Sequence, residues 1–130
     1  MDGILLVDKL ATWSSRDVVN KTMSTFHMKK VGHTGTLDPF ATGLMIVTLG
    51  KGTKTGPFIE ALEKTYVATI KLGEKTPTGD TEREVSETAP IPSLDASQVE
   101  TVLKSFLGEI EQIPPQASAI KVDGVPAYKR

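Results

Sequence analysis

The chain of 130 residues contains no cysteine, so disulfide bonds and thiolate metal sites are excluded. Its only histidines are His27 and His33, which argues against a histidine-rich metal site. No apolar run approaches the roughly eighteen residues of a membrane span. The start of the chain, with an apolar run of only four residues (4–7), does not have the pattern of a signal peptide. We therefore expect a soluble, cytoplasmic domain that holds no metal and has no membrane partner.

Net charge is also nearly absent, at −1, which by itself argues against a nucleic-acid partner. The charges are unevenly distributed, however. Residues 1–54 hold seven Lys/Arg and four Asp/Glu, whereas residues 55–130 hold eight and twelve. Phosphate contacts need local positive charge rather than a basic chain. The asymmetry thus permits RNA binding by the N-terminal part, where the lysines of interest are Lys29, Lys30, Lys51 and Lys54.

The hydrophobic pattern predicts strands and helices that alternate along one domain, since 130 residues leave room for a single core. Strand patterns cover residues 3–8, 44–49, 64–72 and 117–122. Three helical patterns are present. The first begins at Ser14 or Ser15 and runs to about Phe26, and the second covers residues 53–62 with an interruption near Gly56-Pro57. The third runs from Asp95 or Ser97 to Gly108. Residues 73–83 are predicted to be loop. The fold class we expect is α+β, with a mixed, largely antiparallel sheet and helices packed on it.

Residues 32–43, Gly-His-Thr-Gly-Thr-Leu-Asp-Pro-Phe-Ala-Thr-Gly, are the most informative part of the sequence. Three glycines and one proline surround a single carboxylate, Asp38, which predicts a shaped loop rather than a helix or strand. For a lone Asp-Pro pair, a simple Asx-turn would be the favoured interpretation, with Asp38 accepting hydrogen bonds from nearby backbone N–H groups. A second glycine-containing segment, Gly50-Lys51-Gly52-Thr53, is similar to part of a phosphate-binding P-loop. It lacks the earlier glycine that a P-loop requires, so we do not interpret it as one.

The string at residues 32–43 resembles the signature loop of the TruB family of pseudouridine synthases. Three more segments resemble family motifs and occur in the family order: residues 3–9, Lys64-Thr65-Tyr66, and residues 114–128. The resemblance implies that residues 1–130 are the N-terminal portion of a pseudouridine synthase catalytic domain, with a partial pseudouridine synthase fold. The rest of that domain and any C-terminal RNA-binding module would be absent from this chain.

The resemblance also implies an activity, the isomerisation of uridine 55 in the T loop of tRNA to pseudouridine. Asp38 would be the catalytic residue, either attacking C1′ of the ribose or assisting a glycal route. His33 would act as a wedge beside the extruded nucleotide, and Tyr66 would stack on the target base. No cofactor is implied, because nothing is oxidised, reduced or hydrolysed. We expect a monomer whose partner is the tRNA T-arm.

Three further positions are implied to lie at the RNA cleft, namely Lys9, Lys64 and Tyr128. Simpler interpretations exist for several of the site residues. Lys9 would be an exposed charge at a strand end, and His33 a partly buried imidazole bonded to the loop backbone. Tyr66 would be a core residue, since its pattern places it on one strand face with the apolar residues at positions 68 and 70.

The sequence departs from the family pattern at several points. Leu10 and Thr12 stand where the family usually has proline and glycine, and Pro77 and Arg83 differ in a later loop. The family continues Tyr-x-x-Ala-Arg, with an arginine that pairs the catalytic aspartate, whereas this chain ends at Arg130. We therefore expect the 130-residue chain alone to be inactive. The alternative functions are the catalytic subunit of guide-RNA particles that modify ribosomal RNA, and a noncatalytic RNA-binding or RNA-folding module.

Overall fold

A computed structural model of the chain describes residues 1–113 and the backbone of residues 121–122 and 125–126. The chain forms two compact units, Met1–Ala68 and Thr69–Arg130. Most of the predicted strand over residues 117–122, the turn after it, and Tyr128 lie outside the described residues. The α+β fold class is confirmed, because small antiparallel sheets and helices make up both units.

The first unit is built on an antiparallel sheet of three strands in the order β1-β3-β2. Strand β1 is Gly3–Lys9, β2 is Val31–His33 and β3 is Gly43–Leu49. Gly3 pairs with Leu49 and Lys9 with Gly43, so β1 and β3 match along their full lengths. The strands predicted over residues 3–8 and 44–49 are thereby confirmed, and β3 is the central strand of the sheet.

Helix α1 (Ser15–Thr25) covers one face of this sheet. Its N-terminus is closed by a capping box: the Ser14 hydroxyl accepts from the backbone N–H of Asp17, and the Asp17 carboxylate accepts from the N–H of Ser14. The core forms between helix and sheet, where Val47 is fully buried. Its buried apolar members are Val18, Val19, Met45, Val47 and Leu49.

The chain leaves β3 through a 3₁₀ helix, Gly50–Thr55, which passes directly into a short helix α2, Gly56–Glu60. Pro57 stands in the first turn of α2, where a missing backbone N–H costs no helical hydrogen bond. The helix predicted over residues 53–62 is therefore not interrupted near Gly56-Pro57, where it changes from 3₁₀ to α geometry. The backbone N–H of Lys51 donates to the carboxylate of Asp2 at 2.6 Å. A side-chain anion of the chain itself therefore occupies the start of the segment that looked superficially like a P-loop.

The strand predicted over residues 64–72 is wrong. Residues 63–71 have no regular structure, and 68% of the surface of Tyr66 is exposed. Alternation of apolar and polar residues indicates which side chains could share a face, but a strand also needs a neighbour to receive its backbone hydrogen bonds. None of the described strands pairs with this segment. The interpretation of Tyr66 as a core residue fails for the same reason.

The second unit contains short elements. Strands β4 (Glu74–Lys75) and β5 (Glu87–Thr88) pair antiparallel, so part of the predicted loop over residues 73–83 is strand. Helix α3 is Ala96–Lys104, begins at the predicted Asp95 cap and ends four residues before Gly108, because the chain tightens into i→i+3 turns. Strands β6 (Lys121–Val122) and β7 (Val125–Pro126) pair antiparallel. Among the helices described, none combines the length and apolar character that crossing a membrane requires.

Candidate functional site

Asp38 lies in the loop that joins β2 to β3 and is exposed to solvent. The loop turns sharply just after it, with the backbone N–H of Ala41 donating to the carbonyl oxygen of Asp38 at 3.0 Å. Within residues 1–113, no hydrogen bond or ion pair involves the Asp38 carboxylate. An Asx-turn would require that carboxylate to accept a nearby N–H, so the simple turn interpretation does not hold. As far as residues 1–113 show, the exposed carboxylate is open to a ligand.

Lys9 lies under this loop rather than on the surface, with only 1% of its surface exposed. Its ammonium group donates to three carbonyl oxygens, those of Trp13 at 2.7 Å, Leu10 at 3.1 Å and Pro39 at 3.3 Å. An ammonium carries three donors, so all of them are used. The interpretation of Lys9 as an exposed charge is therefore wrong. Its side chain ties the connection after β1 to the residue that follows Asp38.

Two more contacts hold the loop, one from the connection between β1 and α1 and one from the first residue of α1. The backbone N–H of Thr12 donates to the carbonyl of Pro39 at 2.7 Å. The hydroxyl of Ser15 donates to the carbonyl of Leu37 at 3.1 Å and accepts from its N–H at 3.0 Å. Asp38 thus stands between two residues whose backbones are both anchored. Sequence reasoning missed Thr12 and Ser15 in this role. Two features of the sequence could have pointed to this role. The family has glycine at the position of Thr12, and Ser15 is a second serine directly after the helix-capping Ser14.

His33 ends β2, opposite Val47, and is half-buried. Its Nδ1 lies 2.8 Å from the carbonyl oxygen of Gly35. Because a carbonyl can only accept, Nδ1 must carry the hydrogen, and Nε2 of the neutral ring is left as an acceptor. The ring is therefore oriented by the loop backbone, as the simpler interpretation of His33 predicts. This bond leaves the other ring nitrogen available to a ligand.

The structure does not join Lys64 and Tyr66 to the Asp38 loop. The ammonium of Lys64 donates to the carbonyls of Glu60 at 2.6 Å and Leu62 at 3.1 Å, and so caps the end of α2. Tyr66 is two residues further on, and its ring is largely exposed. Among residues 1–113, no hydrogen bond connects either side chain to residues 33–43. Tyr128 lies outside the described residues.

The lysines that flank the loop in sequence lie at the other end of the sheet. Val31 pairs with Leu49, and the N–H of Gly50 donates to the carbonyl of Lys30 at 2.9 Å. The seven residues of β3 separate this end from the loop, which corresponds to about 20 Å. The basic residues grouped there are Lys29, Lys30 and Lys51, with Lys54 following on the 3₁₀ helix.

Two cavities in the described part of the chain lie beside α1, and Asp38 lines neither of them. A shallow groove of about 470 Å³ runs along α1 and is lined by Thr12, Trp13, Asp17, Asn20, Lys21 and Ser24. A smaller cavity of about 210 Å³ lies between β1 and α1 and includes Lys9 in its wall. No three His, Asp or Glu side chains converge as a metal site would require, as far as the described residues show. The exposed loop, rather than a cavity, is therefore the candidate site.

Residues 23–130 match the sequence family described as TruB family pseudouridylate synthase (N terminal domain). The chain belongs to the TruB family. The signature loop of the family is the loop that presents Asp38 between two anchored residues. Thr12 stands where the family has glycine, and its backbone N–H reaches this loop from the β1–α1 connection.

Individual relatives cover the whole of this TruB-family chain. A protein of Opitutus terrae named tRNA pseudouridine synthase B is 46% identical over 129 residues, which are 99% of this chain and 54% of the relative. Proteins of the same name from Thermobifida fusca and Geobacter sulfurreducens are 44% and 45% identical over 129 residues, which are 44% and 42% of those relatives. The chain therefore spans about half the length of the relatives that it matches.

Proposed function

We propose that the chain is the N-terminal portion of the catalytic domain of a tRNA pseudouridine synthase that isomerises uridine 55 of the T loop. One observation carries the proposal: within the TruB signature loop, the only carboxylate is exposed and unpaired among the described residues, and both of its backbone neighbours are anchored. That is the arrangement expected of a group that must meet a substrate in a fixed place. The names of the relatives favour tRNA over ribosomal RNA as the substrate.

The reaction begins with extrusion of the uridine from its loop, because the C1′–N1 bond cannot be reached while the base is stacked. Asp38 then acts on the ribose, by attack at C1′ or by assisting a glycal route, and the bond from C1′ to N1 breaks. The uracil rotates and its C5 bonds to C1′, while any bond from Asp38 to C1′ breaks. A base removes the C5 proton, and N1, which kept the electron pair of the broken C1′–N1 bond, takes up a proton. The atoms of substrate and product are the same, so no other reactant is consumed.

His33 supports this proposal through its position at the entrance to the loop. Its ring is held by the Gly35 carbonyl, so it can occupy stacking space beside an extruded nucleotide without rotating away. Tyr66 offers an exposed aromatic face, and base–aromatic stacking is typically worth about 1–3 kcal/mol per base. Lys64 would fix the turn that leads to Tyr66, and Tyr128 would contribute from the segment outside the described residues.

The lysines at the far end of the sheet fit phosphates that are remote from the reacting uridine. About 20 Å separates them from the loop, so they cannot contact the same nucleotide as Asp38. A folded T-arm, an A-form RNA stem closed by a loop, is long enough to reach both places. We therefore assign them to backbone contacts that position the T-arm without selecting its sequence.

The proposal is tested with an extended protein, which consists of residues 1–130 followed by the downstream residues of the Opitutus terrae relative. Asp38→Asn should abolish pseudouridine formation, because the amide keeps the shape of the side chain but cannot attack C1′ or stabilise charge there. RNA affinity should stay within about twofold, since the site remains intact. Release of tritium from C5-labelled uridine in a T-arm transcript measures turnover. Appreciable turnover by Asp38→Asn would refute the role of Asp38.

A further inference from the structure

The direction of the Asp38 side chain depends on the backbone around it. Its carboxylate has no hydrogen-bond or ion-pair partner among residues 1–113, so no polar side-chain contact there restrains it. Two groups hold the residue after it, since Pro39 accepts from both Lys9 and Thr12. On the preceding side, the hydrogen bonds recorded for the Leu37 backbone all come from one side chain, that of Ser15.

The Ser15 side chain pairs with both backbone polar groups of Leu37. A single hydroxyl donates to the carbonyl of Leu37 and accepts from its N–H, at 3.1 and 3.0 Å. In a sheet, a neighbouring strand would supply such a donor and acceptor pair. Here the first residue of α1 supplies it, while only 4% of Ser15 is exposed. Water therefore cannot readily replace the hydroxyl if it is removed.

We propose that Ser15 is a positioning residue for the reaction, which fixes the backbone at Leu37 and thereby the place of the Asp38 carboxylate. The inference rests on the proposed function. Capping of α1 does not account for Ser15, because the neighbouring Ser14 already performs it with Asp17. The two adjacent serines therefore have different tasks: Ser14 closes the helix, and Ser15 holds the loop.

Loss of the Ser15 hydroxyl would leave a donor and an acceptor of Leu37 without a partner. The loop would shift to find water, while Pro39 stayed anchored on the other side. Asp38 would then rotate about that remaining anchor. A displacement of about 1 Å in a reacting group can lower the rate by about 100-fold. The contacts between RNA and the rest of the protein would be unchanged.

The test compares two adjacent alanine substitutions in the extended protein. Ser15→Ala should lower kcat by about 10- to 100-fold and leave KM for a T-arm transcript within about twofold. Ser14→Ala is the matched control, because it removes a hydroxyl from the same helix end without touching the loop, and it should keep kcat within about twofold. Ser15→Thr, which retains the hydroxyl, should recover most of the lost kcat.

A second measurement does not depend on turnover. In the 130-residue chain, the amide hydrogen of Leu37 should exchange with solvent at least about tenfold faster in Ser15→Ala than in the unsubstituted protein. Ser14→Ala should leave that exchange rate unchanged. A normal kcat in Ser15→Ala, an equal loss in Ser14→Ala, or an unchanged Leu37 exchange rate would each overturn the proposal. Absence of turnover in the unsubstituted extended protein would instead overturn the proposed function, and the exchange rates would still decide the role of Ser15.

Discussion

Thr12 adopts a backbone conformation that suits glycine better than threonine. Its φ is 72°, in the left-handed region, where a β-branched residue is a rare outlier. The TruB family usually has glycine at this position, and the structure gives the physical reason. In this conformation the N–H of Thr12 donates to the carbonyl of Pro39 at 2.7 Å. The departure from the family pattern therefore introduces strain at a residue that supports the Asp38 loop.

Thr12→Gly should stabilise the chain by about 0.5–1 kcal/mol, because relief of left-handed strain exceeds the entropy that glycine adds to the unfolded state. Urea unfolding monitored by circular dichroism measures the change. Thr25→Gly is the matched control, since Thr25 has a helical conformation at the end of α1. The control should lose a few tenths of a kcal/mol, about the difference in helix propensity between the two residues. Equal destabilisation by both substitutions would contradict the strain at Thr12.

Tyr66 gives a second prediction at the scale of single residues. In the extended protein, Tyr66→Phe should preserve RNA affinity and turnover, whereas Tyr66→Leu should weaken affinity by about 1–3 kcal/mol through lost stacking. Because the side chain is largely exposed, neither substitution should unfold the protein. Fluorescence anisotropy with a labelled T-arm measures affinity, and circular dichroism checks folding. Loss of folding in both variants would show that Tyr66 serves the core instead.

Among the elements, those with local signals were predictable from sequence and those with nonlocal partners were not. The start of α1 follows from Ser14 and from apolar spacing, and β1 and β3 follow from their apolar runs. Residues 64–72 alternate as a strand would, yet pairing depends on a neighbour that no local pattern specifies. The role of Lys9 was hidden for a related reason. Its partners are main-chain carbonyls, which every residue has, so no residue type marks them.

The capping box of α1 predicts how the stability of the fold changes at low pH. The Ser14 hydroxyl, followed by the Ser14 backbone N–H, holds the pKa of Asp17 below its usual value. A carboxylate with a lowered pKa in the folded state stabilises the fold above the unfolded pKa, and this contribution is lost as the pH falls through the folded pKa. The ordinary pKa of an aspartate is about 3.9, so this contribution to stability is lost below about pH 4.

An acid titration of stability should therefore differ between the unsubstituted chain and Asp17→Asn. The unsubstituted chain should lose urea stability as the pH falls from about 5 to below 4, and Asp17→Asn should lose less across that range, because the amide does not titrate. Ser14→Ala removes the main partner of the carboxylate and should also reduce the loss. If Asp17→Asn and the unsubstituted chain have parallel profiles, the cap does not provide this pH dependence.

At the scale of the whole molecule, charge and apolar surface are separated in a way that composition alone does not reveal. A net charge of −1 hides a basic group at one end of the first sheet. The face of that sheet opposite α1 carries large apolar side chains that are more than half exposed, namely Ile4, Leu6 and Leu44. Exposed apolar side chains on a strand at the sheet edge favour association. The first unit thus carries both the lysines proposed to contact RNA and an apolar surface of the kind that favours association.

The 130-residue chain by itself should show negligible isomerase activity on a T-arm transcript. In the TruB family an arginine pairs the catalytic aspartate, and within residues 1–113 no cation pairs with Asp38. The lysines beside β2 and β3 remain, so weak RNA binding should persist and should fall steeply between about 50 and 200 mM salt. Tritium release and filter binding measure the two properties, with the extended protein as the positive control. Multiple turnovers by the 130-residue chain would show that its own residues, Arg130 among them, suffice to assist Asp38.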